Sequence, residues 1–253
     1  MNLHVERTGT GPDLALLHGW GLHSGAWDEL LPELALRHRV HAVDLPGHGH
    51  SASVVADSFD DAVGIVAAVL PKGALVCGWS LGGLIAQRLA QQYPQRVARL
   101  LLVASTPCFV ERADWAHGMK DTTLTGFAQG LGTDRDATLA RFVRLNALHG
   151  ARGREAIRAF TARLGAHGPA SVEGLAASLG WLRTTDLRAG AAAIAAPTLV
   201  VHGARDALTP AEAGRWLARH IPGARLAEIG DAGHLPFFSH RAAFAAALES
   251  HLG

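Results

Sequence analysis

The run Gly78-Trp79-Ser80-Leu81-Gly82 constrains this chain most, because it stands where an apolar strand candidate, Ala74 to Cys77, gives way to a helix candidate, Leu81 to Tyr93. Leu84, Ala86, Leu89 and Ala90 supply the apolar side of that helix. A backbone that turns so sharply from strand to helix leaves no room for a side chain at Gly78 or Gly82. A serine at the apex then presents its hydroxyl as a nucleophile. Such a pentapeptide recurs by chance, so the reading depends on partners elsewhere in the chain.

Further apolar runs of strand length occur at Leu14 to Leu17, Val40 to Leu45, Leu100 to Ala104, Thr198 to Val201 and, more weakly, Arg225 to Ile229. Helix-like segments separate most of them, and Ala242 to Leu252 makes a terminal helix. This alternation predicts an α/β fold with a mostly parallel sheet flanked by helices. Residues 111–186 break the pattern. Strand signals vanish there, and helix-length stretches such as Ala137 to Ala147 and Arg154 to Leu164 dominate. The expectation is a core of residues 1–110 and 187–253, with 111–186 as a helical insertion lying over the carboxyl ends of the strands as a lid. The 253 residues suffice for one such domain with an insertion.

A serine hydroxyl is a weak nucleophile at neutral pH and needs a general base, itself oriented by a carboxylate. Asp206 follows the strand Thr198 to Val201 in the run His202-Gly203-Ala204-Arg205-Asp206-Ala207-Leu208-Thr209-Pro210, and His234 follows the next strand in Gly230-Asp231-Ala232-Gly233-His234. Both fall in loops that open on the edge where Ser80 sits. We therefore take Ser80, Asp206 and His234 as the catalytic candidates. Fifteen histidines are present, and position alone singles out His234. Asp231, in the same loop as His234, reads as a turn or capping residue, and Asp44, before Pro46-Gly47, as part of a structural turn. An oxyanion would be bound by the backbone N–H groups of Leu81 and of Trp20, the latter in the loop Leu16-Leu17-His18-Gly19-Trp20-Gly21.

Composition excludes several other classes. A hydrophobic fraction of 49% and a net charge of +1 describe an ordinary globular chain with no general affinity for nucleic acid. The amino terminus lacks a basic start followed by an apolar stretch, and no run reaches the roughly eighteen apolar residues of a membrane span. A cytoplasmic protein with no membrane association is expected. Cys77 and Cys108 are the two cysteines and stand among apolar or small residues, as buried thiols do. No H-E-x-x-H, paired C-x-x-C or phosphate-loop spacing occurs, so neither metal nor cofactor is implied.

Together, His18-Gly19-Trp20-Gly21, Asp44-Leu45-Pro46-Gly47-His48-Gly49, Gly78-Trp79-Ser80-Leu81-Gly82-Gly83, Asp206 and Gly233-His234 resemble the α/β-hydrolase fold family in its own motif order. With Val103-Ala104-Ser105-Thr106-Pro107-Cys108-Phe109 added, the chain resembles more closely the pimeloyl-[acyl-carrier protein] methyl ester esterases of biotin synthesis. That resemblance implies a serine carboxylesterase, active on an ester whose other end is held by an acyl carrier protein, with Trp79 beside the nucleophile lining the pocket. Trp20 and Phe142 are further candidates to line it, although a core role suits each equally well.

Carrier proteins of this kind are acidic, so a basic docking surface is expected. From 137 to 183, seven arginines and no lysine stand against Glu155 and Glu173, a local excess of +5 in a chain whose total is +1. Arg141 and Arg144 are three apart and Arg154 and Arg158 four apart, so each pair shares a helix face and can grip anions by forked hydrogen bonds. These four are the candidate docking residues, on a chain expected to be monomeric. A broad esterase for short free esters, a carbon–carbon bond hydrolase with the same triad, and a ligand receptor on the same fold are the alternatives.

Overall fold

The middle strands each carry an uninterrupted apolar run, which commits them to the centre of a sheet covered on both faces. The computed structural model describes residues 2–149 and 152–252. Met1, Gly150, Ala151 and Gly253, which fall within the segments read above as core and insertion, lie outside the described residues. The strands are β1 (Val5–Thr8), β2 (Asp13–Leu17), β3 (Arg39–Val43), β4 (Ala74–Trp79), β5 (Val97–Val103), β6 (Thr198–Gly203) and β7 (Arg225–Ile229). They form one seven-stranded sheet in the order β1-β3-β2-β4-β5-β6-β7. The β1–β3 pair is antiparallel, and the pairs from β3 through β7 are parallel.

Successive strand residues point to opposite faces, so each strand feeds two cores. Leu16 pairs with Cys77, Cys77 with Leu101, and Leu101 with Leu199, a continuous row across four strands. That row packs with Trp27, Phe237 and Phe244 on one side of the sheet. The residues between, Leu17, Val76, Leu100, Leu102 and Val200, face the other way. There they meet Leu84, Ile85 and Leu89 of the helix Leu81–Gln92 and Val63 and Val66 of the helix Phe59–Val69. Ser58 caps the latter by accepting the Asp61 amide, with Asp60 and Asp61 in the first turn complementing the helix dipole.

Between β5 and β6 the chain forms the helices Asp121–Thr133, Arg135–Asn146, Gly153–Arg163 and Val172–Thr184. Asp134 and Ser171 cap the second and fourth. Their inward residues recur at helical spacing: Leu124, Phe127 and Leu131; Leu139, Phe142 and Val143; Ala156 and Phe160; Leu175, Leu179 and Leu182. The two ends of this segment meet, for Cys108 forms a β-bridge with Asp186 and the Leu187 amide donates to the Pro107 carbonyl at 2.9 Å. Cys77 and Cys108 are both buried free thiols.

Element boundaries moved by a few residues. β3 stops at Val43 rather than Leu45, whereas β4 runs on to Trp79 because Gly78 and Trp79 still pair with Leu102 and Val103. β1 was not anticipated. It is four residues long with a half-buried edge pattern, too short for its alternation to register. No helix among the described residues is long and apolar enough to cross a membrane.

Candidate active site

Ser80 sits between the last residue of β4 and the first of the helix Leu81–Gln92, with φ 55° and ψ −117°, a sparsely populated region for a residue with a side chain. Neighbouring hydrogen bonds hold it there. Its amide donates to the Val103 carbonyl at 3.0 Å, and its carbonyl accepts from the Ser105 hydroxyl at 2.9 Å and the Leu84 amide at 3.1 Å. A Cβ on Gly78 would collide with the Gly82 carbonyl, and one on Gly82 with the carbonyls of Leu17 and His18. The start of the helix is therefore pressed against the loop that carries Trp20. The Leu81 amide, at the first helical position, has no carbonyl one turn behind it within the helix and is open to an anion, as helix amino termini are.

The loop after β6 delivers Asp206 and the loop after β7 delivers His234, both buried. His234 Nδ1–H donates to Asp206 Oδ2 at 2.7 Å, which leaves Nε2 as the nitrogen turned away from the carboxylate. Nε2 is itself buried and without a hydrogen-bond partner among the described residues. Asp206 is fixed from every side: Oδ1 accepts from the amides of Leu208 at 2.9 Å and Thr209 at 3.0 Å, and Oδ2 also accepts from the Thr209 hydroxyl at 2.7 Å. Burial alone would raise its pKa. The neighbouring His234, with its hydrogen bond, together with His202 and the Thr209 amide, outweighs burial and holds the carboxyl below its ordinary value. It stays ionised, as an acid that must support an imidazolium has to be.

Sequence reasoning missed the residues that hold the acid and the nucleophile. His202 lies at the end of β6, and its Nε2–H donates to the Thr209 carbonyl at 2.8 Å. Burial lowers its pKa, against the opposing pull of Asp206. Thr209, three residues beyond Asp206, and Ser105, at the end of β5, stood inside quoted motifs, but only the fold shows where their hydroxyls point.

The aromatic candidates separate by face. The Trp20 ring is buried, donates its Nε1–H to the Leu175 carbonyl at 3.0 Å, and packs edge-on against Phe142 with centroids 4.8 Å apart. Phe127 closes the cluster. Arg141 points the other way from Phe142, exposed, with its guanidinium 5.3 Å from the Phe127 centroid. Trp79 is as fully buried as Trp20. Its ring is fully buried among Trp27, Phe160 and Phe237, and its Nε1–H donates to the His234 carbonyl at 2.9 Å. It supports the backbone of His234, and since β4 continues to residue 79, alternation turns that side chain to the face that carries Trp27 and Phe237. Asp231 is exposed and pairs with Arg205 at 3.1 Å, away from His234. Asp44 is buried and accepts from the amides of Ser24 and His50, tying two loops together.

The seven arginines of 137–183 divide in two. Arg152 pairs with Glu155 and Glu29, Arg163 with Asp28 and Glu29, and Arg183 with Asp121. Arg141, Arg144, Arg154 and Arg158 are exposed and make no ion pair among the described residues. They lie on the second and third of the four helices.

Comparison with known proteins agrees with this geometry. Residues 14–241 match the model of a family described as the alpha/beta hydrolase fold. The chain is 47% identical over 239 residues to a pimeloyl-[acyl-carrier protein] methyl ester esterase of Nitrosomonas europaea, covering 94% of each chain. It is 44% identical over 252 residues to one of Chromobacterium violaceum, covering 100% of this chain and 98% of that one. Among solved structures, a hydrolase from Pseudomonas aeruginosa superposes with a TM-score of 0.85 at 32% identity, over 99% of this chain and 94% of the other.

Proposed function

Because the chain belongs to the alpha/beta hydrolase fold family, and within it to the pimeloyl-[acyl-carrier protein] methyl ester esterases, we propose that it hydrolyses the methyl ester of a pimeloyl group carried on acyl carrier protein. Methanol and the free carboxylate are the products. The observation that carries the chemistry is the buried Asp206–His234 pair with its unpartnered Nε2, together with the strained turn that holds Ser80.

Ser80 Oγ attacks the ester carbonyl while His234 Nε2 takes its proton. Asp206 keeps the other proton on Nδ1 and supports the charge that forms. The amides of Leu81 and Trp20 receive the oxyanion, donors worth on the order of a hundredfold or more in rate each. His234 returns the proton to departing methanol, then activates the water that releases the acid. The methyl leaving group needs little room, and the acyl chain would lie along Trp20 and Phe142. Residues 111–186 act as the lid, over a core of 1–110 and 187–253. Arg141, Arg144, Arg154 and Arg158, with no internal partner, are the docking residues for the acidic carrier.

Two measurements test this reading. Ser80→Ala is expected to abolish turnover with the fold intact, and retained hydrolysis by that variant would exclude the nucleophile. The kcat/KM for the carrier-bound ester should fall steeply with ionic strength while that for a short free ester barely moves. Equal salt responses would exclude docking through the arginines.

A further inference from the structure

The helix Arg135–Asn146 runs from one functional loop to another. The Leu139 side chain fills the space that a Cβ on Gly21 would need, and one turn further on Phe142 packs against the Trp20 ring. Just past the end of the helix the carbonyls of Leu148 and His149 press on Gly233, so closely that a Cβ there would collide with both. Asn146 falls between these contacts. It follows Phe142 by four residues and Val143 by three, so it shares the inward face of the helix with both. Phe142 belongs to the apolar cluster that holds Trp20 and Leu81, and Val143 to the one that holds Trp79 and Leu235. Asn146 therefore lies on the seam where the two clusters meet. Ser80, between Trp79 and Leu81, and His234, just before Leu235, occupy the same seam.

The Asn146 side chain is buried. Its Nδ2–H donates to the Phe142 carbonyl at 2.7 Å, which fixes the orientation of the amide, since an oxygen turned that way would face another acceptor. Oδ1 is buried without a hydrogen-bond partner among the described residues, as is His234 Nε2. A buried acceptor left unpaired weakens a fold, and a leucine would serve packing better at this position. We propose that, under the esterase reading on which this rests, Asn146 Oδ1 orients the water that hydrolyses the acyl-enzyme.

The two unpaired acceptors suit the two hydrogens of that water. One O–H donates to His234 Nε2, which takes the proton as the water oxygen bonds to the acyl carbon. The other O–H donates to Asn146 Oδ1 and stays with its oxygen in the acid that is released. His234 then gives its proton to Ser80 Oγ as the bond between Oγ and the acyl carbon breaks. A water held at Nε2 alone is free to turn about that one hydrogen bond, whereas a second acceptor aims its lone pair at the acyl carbon. Acylation has no such need, because the chain itself holds Ser80 Oγ in place. Nor does attack by methanol, which carries a single O–H. Asn146 thus favours hydrolysis over return of the methyl ester.

Stopped-flow hydrolysis of p-nitrophenyl acetate by the parent, Asn146→Leu and Asn146→Ala separates the two halves of the reaction. Both variants should release about one p-nitrophenol per chain in a burst as fast as the parent acylates. They should then turn over about tenfold or more slowly than the parent, in line with the loss of one hydrogen bond. With methanol added, the ratio of methyl ester to acid formed by the variants should exceed that of the parent about tenfold. Asn146→Ala leaves room for water, so a slow phase seen in both variants is not obstruction. The Tm of Asn146→Leu should match or exceed that of the parent, whereas a purely structural role for the amide requires a fall. An unchanged steady rate in both variants, or a product ratio equal to that of the parent, overturns the proposal. So does a rise in KM confined to the carrier-bound ester, with burst and steady rate unaltered, which would assign Oδ1 to an N–H of the carrier's arm. A parent that shows neither burst nor turnover on any ester would instead count against the esterase reading itself.

Discussion

Acidification from pH 7 to pH 5 probes the burial of His18 and His48. Both rings are fully enclosed. Burial, helped by the neighbouring His48, pushes His18 down to about 3, and burial pushes His48 down to about 4. The hydrogen bonds show why His18 refuses a second proton. Its Nδ1–H donates to the Gly19 carbonyl at 2.8 Å and its Nε2 accepts from the Leu45 amide at 2.9 Å, so a proton on Nε2 would face another donor. The unfolded chain takes up that proton near pH 6.5. Between that value and the folded one the unfolded state binds more protons, so stability falls as pH falls. At pH 5 each ring removes about 2 kcal/mol, being roughly 1.5 units below 6.5 at about 1.4 kcal/mol per unit. That figure is the same for any folded value well below 5.

The two rings together thus remove about 4 kcal/mol, a large share of the 5–15 kcal/mol typical of a folded domain. His23, His202 and His251, also lowered by burial, act in the same direction. Asp44 and Asp206 do not blur the window. Their folded values are depressed, so the stability they confer is present above the unfolded value near 4 and is lost only as pH falls below it. Urea unfolding at pH 7 and pH 5, paired with 15N-detected titration of the histidine rings in the folded protein, reads both halves of the argument. Equal stability at the two pH values, or a His18 ring that titrates near 6.5 while the protein is folded, would refute it.

Thr209→Val removes the hydroxyl that donates to Asp206 Oδ2 but leaves the two amides on Oδ1. The kcat for a short ester should fall about tenfold with KM kept, in line with one hydrogen bond to a charged group; an unchanged kcat would show that the amides alone fix the acid. Gly82→Ala drives a methyl into the carbonyls of Leu17 and His18, so kcat should fall by about a hundredfold or more through a spread oxyanion site, with near-native circular dichroism. The double variant Arg154→Glu, Arg158→Glu should raise KM for the carrier-bound ester about tenfold or more and leave hydrolysis of a short ester alone, since exposed charges act on encounter rather than on chemistry; parallel loss on both substrates would indicate damage to the lid instead.

The parallel sheet was legible because β2, β4, β5 and β6 each carry an uninterrupted apolar run, a pattern that a doubly covered sheet accommodates. β1 was not, since four half-buried residues carry too little pattern. That Ser80, Asp206 and His234 each follow a strand was legible too, and strand ends in such a sheet share an edge. The groups that hold them were not. The hydroxyls of Ser105 and Thr209 and the imidazole of His202 gain meaning from what stands opposite them, and that is set by packing between loops more than a hundred residues apart, as with Thr209 near Ala104. The hydrogen bond from Trp79 to the His234 carbonyl was equally invisible, because it depends on the pleat of β4.

β5 ends at Val103 and its neighbour β6 begins at Thr198, and this gap sets an order of events during synthesis. The ribosome releases the strands that bear Ser80 well before those that bear Asp206 and His234. Pairing β5 with β6 must then close a loop of more than ninety residues, a slow and entropically costly step. Until that closure Ser80 stands apart from both Asp206 and His234. Under the proposed triad, catalytic competence therefore arrives in one late event, when the carboxyl-terminal strands dock.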